Sequence, residues 1–115
     1  MLKDDIIRLR HMLDAALEAE SFIEGKNRSD LSNDRKLELA LVKCVEIIGE
    51  AASSVSKETR DNFPQIPWPD ITGMRNRLIH AYFEINLDIL WNTLTDDLPP
   101  LIDEIKKIIP PESLV

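Results

Sequence analysis

Glycine is nearly absent from this chain, with three residues in 115, and aromatic side chains make up only 5%. So few glycines, with no β-branched runs bounded by turns, leave little material for tight hairpins and disfavour a sheet protein. The single cysteine, Cys44, excludes an internal disulfide and any C-x-x-C metal site. It falls in an apolar periodic run without features that lower a thiol pKa, so it reads as a buried thiol in a reducing compartment and not as a nucleophile. The two histidines, His11 and His80, stand far apart, and no H-E-x-x-H, P-loop or G-x-G-x-x-G occurs. No apolar stretch approaches membrane-spanning length, and Asp4 and Asp5 near the start are unlike a secretory signal. These absences lead to the expectation of a soluble, cytoplasmic protein, all-α, with no metal and no cofactor.

Positive charge is also in short supply. The formal net charge is −7, which argues against a general nucleic-acid binder with a basic phosphate-contacting surface. The imbalance is uneven, because residues 57–84 carry four basic and four acidic residues while the rest of the chain is acidic. Apolar residues at 43% and charged residues at 30% are an ordinary globular balance. The length suits one domain over 1–115.

Apolar spacing predicts helices throughout. From Lys3 to about Gly25, the residues Ile6, Leu9, Leu13, Ala16, Leu17 and Ile23 fall on one helical face, with Gly25 as the stop. "NRSDLSND" reads as a polar connector offering N-caps at Ser29, Asp30 and Ser32. A second helix is expected from Asn33 to Ser54, with Leu37, Leu41, Cys44, Ile48, Ala51 and Val55 in one stripe. Leu39, Val42 and Val45 lie off that stripe, so a second cover is expected, from the bundle and from another subunit. Ser56 followed by Thr59 predicts a short capped turn, after which Pro64, Pro67 and Pro69 exclude a regular helix. Pro64 to Pro67 forms a P-x-x-P, read as a rigid connector whose Phe63, Ile66 and Trp68 pack on the bundle in preference to a ligand for a proline-binding module.

A third helix is expected to start at Pro69 or Asp70 and to carry Ile71, Met74, Leu78 and Ala81 on one side. The last, from Leu87 to Ile109, should kink or break at Pro99-Pro100. The expected architecture is an antiparallel bundle of four to five helices with a kinked last helix.

Within this acidic chain, "GMRNRLIHAYFEI" concentrates Arg75, Asn76, Arg77, His80 and the only tyrosine, Tyr82. A guanidinium holds a phosphate through two parallel hydrogen bonds, and an imidazole takes or gives a proton near neutrality. Together they suit metal-independent cleavage of an RNA phosphodiester, one group handling a proton and the other stabilising the charged transition state. On one continuous helix, however, Arg75 and His80 would stand roughly 140° apart. Either the helix ends near His80, or two copies of the motif face each other across a twofold axis; both are expected. Glu46 and Glu50 share a helical face, and they read as solvated or interhelix ion-pairing groups in preference to metal ligands. His11, beside Arg10, reads as a surface or partner-packing residue, and Arg77 has no assigned role.

"RNRLIHAY", Arg75 to Tyr82, is a full R-x4-H-x-Y motif with Asn76 directly after the arginine. With "IIGEAASSVSKETRDNFPQIPW" (Ile47 to Trp68) and "YFEINLDILWNTLTDDLPPL" (Tyr82 to Leu101), it resembles the HepT-like proteins of the HEPN superfamily, a resemblance weakest over residues 1–35. That resemblance implies a homodimeric all-α bundle in which two R-x4-H motifs meet in a cleft. It also implies a metal-independent endoribonuclease, the toxin of a type VII toxin–antitoxin pair. Its implied partner is an MntA-like nucleotidyltransferase antitoxin that silences the toxin by adding AMP to the motif tyrosine. Carried over, Arg75 and His80 are the implied catalytic residues, Asn76 assists, and Tyr82 is the modified residue. The competing expectations are a non-catalytic nucleotide- or partner-binding module working with a nucleotidyltransferase, and a purely structural dimeric bundle.

Overall fold

The computed structural model describes residues 1–79 and 84–109. In chain order its elements are α1 (Lys3–Ile23), α2 (Arg28–Asn33), α3 (Arg35–Ser54), α4 (Lys57–Asn62), α5 (Trp68–Thr72), α6 (Met74–Leu78), α7 (Leu87–Asn92), a π-helical turn (Thr93–Asp97) and α8 (Leu98–Ile108). The chain is all-α, as its apolar periodicity predicts. Extended pairing among the described residues is one antiparallel bridge between Ile79 and Ile85. No helix of the described residues is long and apolar enough to cross a membrane.

Two long helices, α1 and α3, form the main pair. Their direction follows from two contacts: Asp5 near the start of α1 meets Ser56 just beyond α3, and Glu18 late in α1 meets Cys44 in the middle of α3. The helices therefore run antiparallel. The buried face of α1 is Asp5, Leu9, Met12, Leu13, Ala15, Ala16 and Ala19. Leu17, expected on that face, is exposed, because Ala15 and Ala19 instead turn toward the core. On α3, Leu41, Cys44, Ile48 and Ala51 are buried as the stripe predicts, and so are Val42 and Val45. The chain itself thus covers most of the second apolar set; Leu39 alone of that set stays open, at 49% exposure.

Helix ends follow local chemistry, with corrections. Gly25 takes a positive φ of 74° beyond α1, a left-handed turn that costs glycine nothing. The expected connector is itself a helix, α2. Its N-cap is Asn27, whose side chain accepts from the Asp30 N–H, while the Asp30 carboxylate accepts from the Asn27 N–H. Asp34 caps α3 through the Leu37 N–H. None of the caps expected at Ser29, Asp30 and Ser32 is used; the true caps precede them by two or three residues or follow them. Ser56 does cap α4, through the Thr59 N–H, and α4 extends to Asn62.

Past the prolines, Ile66 and Trp68 are buried and Phe63 packs at the core edge, with the Trp68 indole N–H donating to the Phe63 carbonyl at 3.1 Å. The expected single helix from Pro69 onward is two short ones. Gly73 separates them, and a Cβ there would stand 3.2 Å from the Pro69 carbonyl oxygen. The second ends at Leu78, where Ile79 turns extended and bridges Ile85, so the helix stops before Ala81, which lies outside the described residues. In the last segment the interruption precedes the Pro99-Pro100 step. The backbone widens over Thr93–Asp97, the Leu98 N–H reaches back to the Thr93 carbonyl, and both prolines sit in the first turn of α8. There their missing N–H groups interrupt no helical hydrogen bond.

Cys44 is buried and its thiol donates weakly to Glu18 Oε1 at 3.8 Å. Burial, the Glu18 charge and this contact push its pKa up to about 11. The thiolate is scarce at neutral pH, so alkylation of the folded protein at pH 8 should run at least roughly 100-fold slower than in urea. Timed iodoacetamide labelling read by mass checks this; equal rates in both conditions would contradict the buried placement.

Candidate active site

α6 is only five residues long, and its position comes from packing. Met74 and Leu78, one turn apart, are buried, which turns Arg75, Asn76 and Arg77 outward. The Ile79–Ile85 bridge and the Asn86 N–H, which donates to the Leu78 carbonyl at 2.8 Å, fasten the end of α6 to the start of α7. Asn86 then caps α7 through the Ile89 N–H.

Arg75 projects toward α3. Its Nε–H donates to Glu46 Oε1 at 3.1 Å, with the arginine side chain 45% exposed and the glutamate 26%. The two terminal amino groups of Arg75 make no hydrogen bond among the described residues. Of the pair Glu46 and Glu50, the first therefore forms an interhelix ion pair, as expected. Glu50 is exposed and borders a small hollow with Arg8 and His11. Among the described residues no group of three or more His, Cys, Asp or Glu is arranged to hold a metal ion. Asn76 is exposed beside Arg75. His80 and Tyr82 lie outside the described residues.

The helix end at Leu78 removes the geometric objection to the motif. An angle of roughly 140° applies only if the helix continues through His80. Here the Ile79 N–H closes on the Arg75 carbonyl and Ile79 is already extended, so the chain leaves the helix one residue before His80.

Arg77 points elsewhere. Two positions on from Arg75, it faces a direction roughly 200° away around the helix. It lines a cavity of about 580 Å³ whose wall includes Asp70, Asp96, Asp97 and Glu104, over apolar Ile66, Ile71, Met74 and Leu101. Four carboxylates against one guanidinium make this hollow unfavourable for a phosphate chain. The residue without a sequence-level role is thus a counter-charge within an acidic hollow. Its neighbours there come from α5, the π-helical turn and α8, which local sequence does not bring together.

An all-α bundle presenting an exposed arginine, its terminal nitrogens without a hydrogen bond among the described residues, at the head of an R-x4-H-x-Y motif defines the class to which comparison assigns the chain. A profile of the family described as Ribonuclease HepT-like matches residues 12–108, and the chain belongs to that family. A protein of Caldanaerobacter subterraneus subsp. tengcongensis named as a candidate RNase is 36% identical over 104 residues, covering 90% of this chain and 93% of its own length. One of Thermococcus cleftensis, named as a candidate ribonuclease HepT, is 35% identical over 100 residues, covering 84% of this chain and 91% of its own. A third, of Methanocaldococcus jannaschii and also named as a candidate RNase, is 34% identical over 89 residues, covering 77% and 74%. No solved structure matches the chain.

Proposed function

We propose that this protein is a metal-independent endoribonuclease acting in the cytoplasm, the toxin of a type VII toxin–antitoxin pair. The observation that supports this most is Arg75: exposed, held by its Nε, with no hydrogen bond to its terminal nitrogens among the described residues, in a chain of the HepT-like ribonuclease family. In this reading the ribose 2′-oxygen attacks the adjacent phosphorus and the P–O5′ bond breaks, leaving a 2′,3′-cyclic phosphate and a 5′-hydroxyl. A proton leaves the 2′-hydroxyl and another reaches the departing 5′-oxygen, so one base and one acid are needed. One copy of the motif holds one imidazole, His80. Two copies meeting in a homodimer cleft supply both roles, with Arg75 stabilising the charge on phosphorus and Asn76 orienting it.

The test is cleavage of a synthetic RNA in the presence of EDTA, with product ends identified by mass. Cyclic phosphate ends in the wild type and their loss in Arg75→Ala support the reading. Cleavage that persists in that variant, or that EDTA stops, overturns it. The acidic surface gives weight to a second reading, a module that binds a nucleotide or a nucleotidyltransferase without cleaving. Tight partner binding without cleavage at any protein concentration would favour it.

Regulation is proposed to act on Tyr82. Its phenolic oxygen attacks the α-phosphorus of ATP in the site of an MntA-like nucleotidyltransferase partner, and pyrophosphate leaves. The added AMP brings negative charge and bulk two residues from His80, which competes with RNA for Arg75. Incubation with such a partner and ATP should add one adenylyl group to the wild type and none to Tyr82→Phe, read by peptide mass spectrometry. Modification of another residue would contradict the proposal.

A further inference from the structure

We propose that Glu46 is a positioning residue for Arg75, holding the guanidinium so that its outer edge is presented to phosphate; this rests on the reading of Arg75 as the phosphate-binding group. The two residues are 29 positions apart and belong to elements of very different rigidity. Arg75 stands on α6, a five-residue helix too short to be stable without tertiary support. Glu46 stands in the middle of α3, a 20-residue helix, and its neighbours Cys44, Val45 and Ile48 are all buried. The fixed partner is therefore the carboxylate.

The choice of nitrogen decides what the contact does. A guanidinium presents two usable edges, one formed by Nε and an amino group and one by the two terminal amino groups. Glu46 takes Nε at 3.1 Å, which occupies the first edge and leaves the second for a bidentate phosphate. Partial burial strengthens the contact: Glu46 is 26% exposed, so water screens it less than a pair on the open surface. Arg75, at 45%, remains open to a ligand. An arginine side chain loses considerable rotamer freedom when it is fixed, and a guanidinium already held loses less of it in the transition state.

The negative charge of Glu46 works in the opposite sense, because it repels the phosphate that Arg75 attracts. The two effects separate in the kinetics. Orientation acts on kcat, and repulsion acts mainly on KM. Glu46→Ala removes both and should lower kcat on the order of 10- to 100-fold while leaving KM unchanged or lower. Glu46→Gln keeps an oxygen acceptor without the charge, so kcat should stay within about 3-fold of wild type and KM should fall. Glu50→Ala removes an equal charge from the next turn, where the carboxylate borders Arg8 and His11 and makes no ion pair with Arg75, and should behave as wild type.

The experiment pairs RNA-cleavage kinetics with the Arg75 Nε–Hε signal in ¹⁵N-correlated NMR, assigned by its loss in Arg75→Lys, and a thermal midpoint confirms that each variant is folded. Slow Hε exchange in wild type and Glu46→Gln, fast exchange in Glu46→Ala and the kcat pattern above support the proposal. Wild-type kcat in Glu46→Ala, or a rise in kcat there, overturns it, the latter marking Glu46 as an inhibitory competitor. Fast Hε exchange in the wild type also overturns it. An inactive wild type with a protected Hε would instead overturn the ribonuclease reading, and with it any role of Glu46 in cleavage.

Discussion

Arg75→Ala should lower kcat for RNA cleavage by about 10²–10³-fold, the usual loss when one preorganised donor to a developing oxyanion is removed. The expectation rests on the terminal edge of its guanidinium, which makes no hydrogen bond among the described residues, and on its lying outside the lining of the acidic hollow that Arg77 faces. Arg75→Lys should not restore activity, because an ammonium keeps the charge but has neither the Nε–H that meets Glu46 nor the fork that meets phosphate. His80→Ala should cost a comparable amount, about 10²–10⁴-fold, through loss of proton transfer. Thermal unfolding supplies the control. Arg75 is exposed and α6 is anchored by Met74 and Leu78, so the variant should melt within a few degrees of wild type. Arg77→Ala, on the other face, should cleave like wild type; a loss equal to that of Arg75→Ala would show that phosphate is held at the wrong face.

Asp5→Ala should destabilise the fold by about 2–4 kcal/mol, with a fall in melting temperature of about 10 °C or more. Asp5 is 2% exposed, yet its carboxylate is fully engaged. It accepts from the Ser56 N–H at 2.9 Å, from Ser56 Oγ at 2.6 Å and from Thr59 Oγ1 at 2.6 Å. It thereby fastens the first turn of α1 to the junction of α3 and α4, at the positive end of the α1 dipole. Alanine would leave a buried threonine hydroxyl and a half-buried serine without their acceptor. Asp5→Asn keeps the shape and one acceptor oxygen, so it should cost less.

The same site sets an acid limit. Burial disfavours the ionised carboxylate, but the hydrogen bonds from Ser56 and Thr59 outweigh that, and the Asp5 pKa lies below its ordinary value. A group whose pKa is depressed on folding contributes stability above its unfolded pKa, about 3.9, and loses it as pH falls through the folded value. Urea midpoints should therefore decline on acidification below about pH 4 in the wild type, and less steeply in Asp5→Asn. Parallel profiles for the two proteins would contradict this.

Particular residues show where sequence reading succeeds. The helical class, the extent of α1 and α3, the stop at Gly25 and the Ser56 cap all depend on interactions within one or two turns, and each is visible in local spacing. The expected connector at Asn27 to Asp34 failed because it contains more than one capping residue, and the choice among them depends on which turn packs. α2 forms because Leu31 is fully buried, a fact about α2's neighbours. The interruption in the last segment moved upstream of Pro99-Pro100 for a similar reason: prolines are tolerated in a first turn, and the widened turn falls in the backbone that precedes it.

The site divides in the same way. The sequence by itself determined an all-α chain, the apolar side formed by Ile71, Met74 and Leu78, and a motif whose similarity is matched by a HepT-like ribonuclease profile over residues 12–108. Local periodicity and motif spacing suffice for these, because covalent neighbours carry them. Only the tertiary structure decided that α6 ends at Leu78, that Arg75 pairs with Glu46, that Arg77 faces an acidic hollow and that Asp5 is a buried acceptor. Each of those joins residues distant along the chain, the Asp5 contacts spanning 51 and 54 positions. Their pairing is set by how helices pack, which no local pattern encodes.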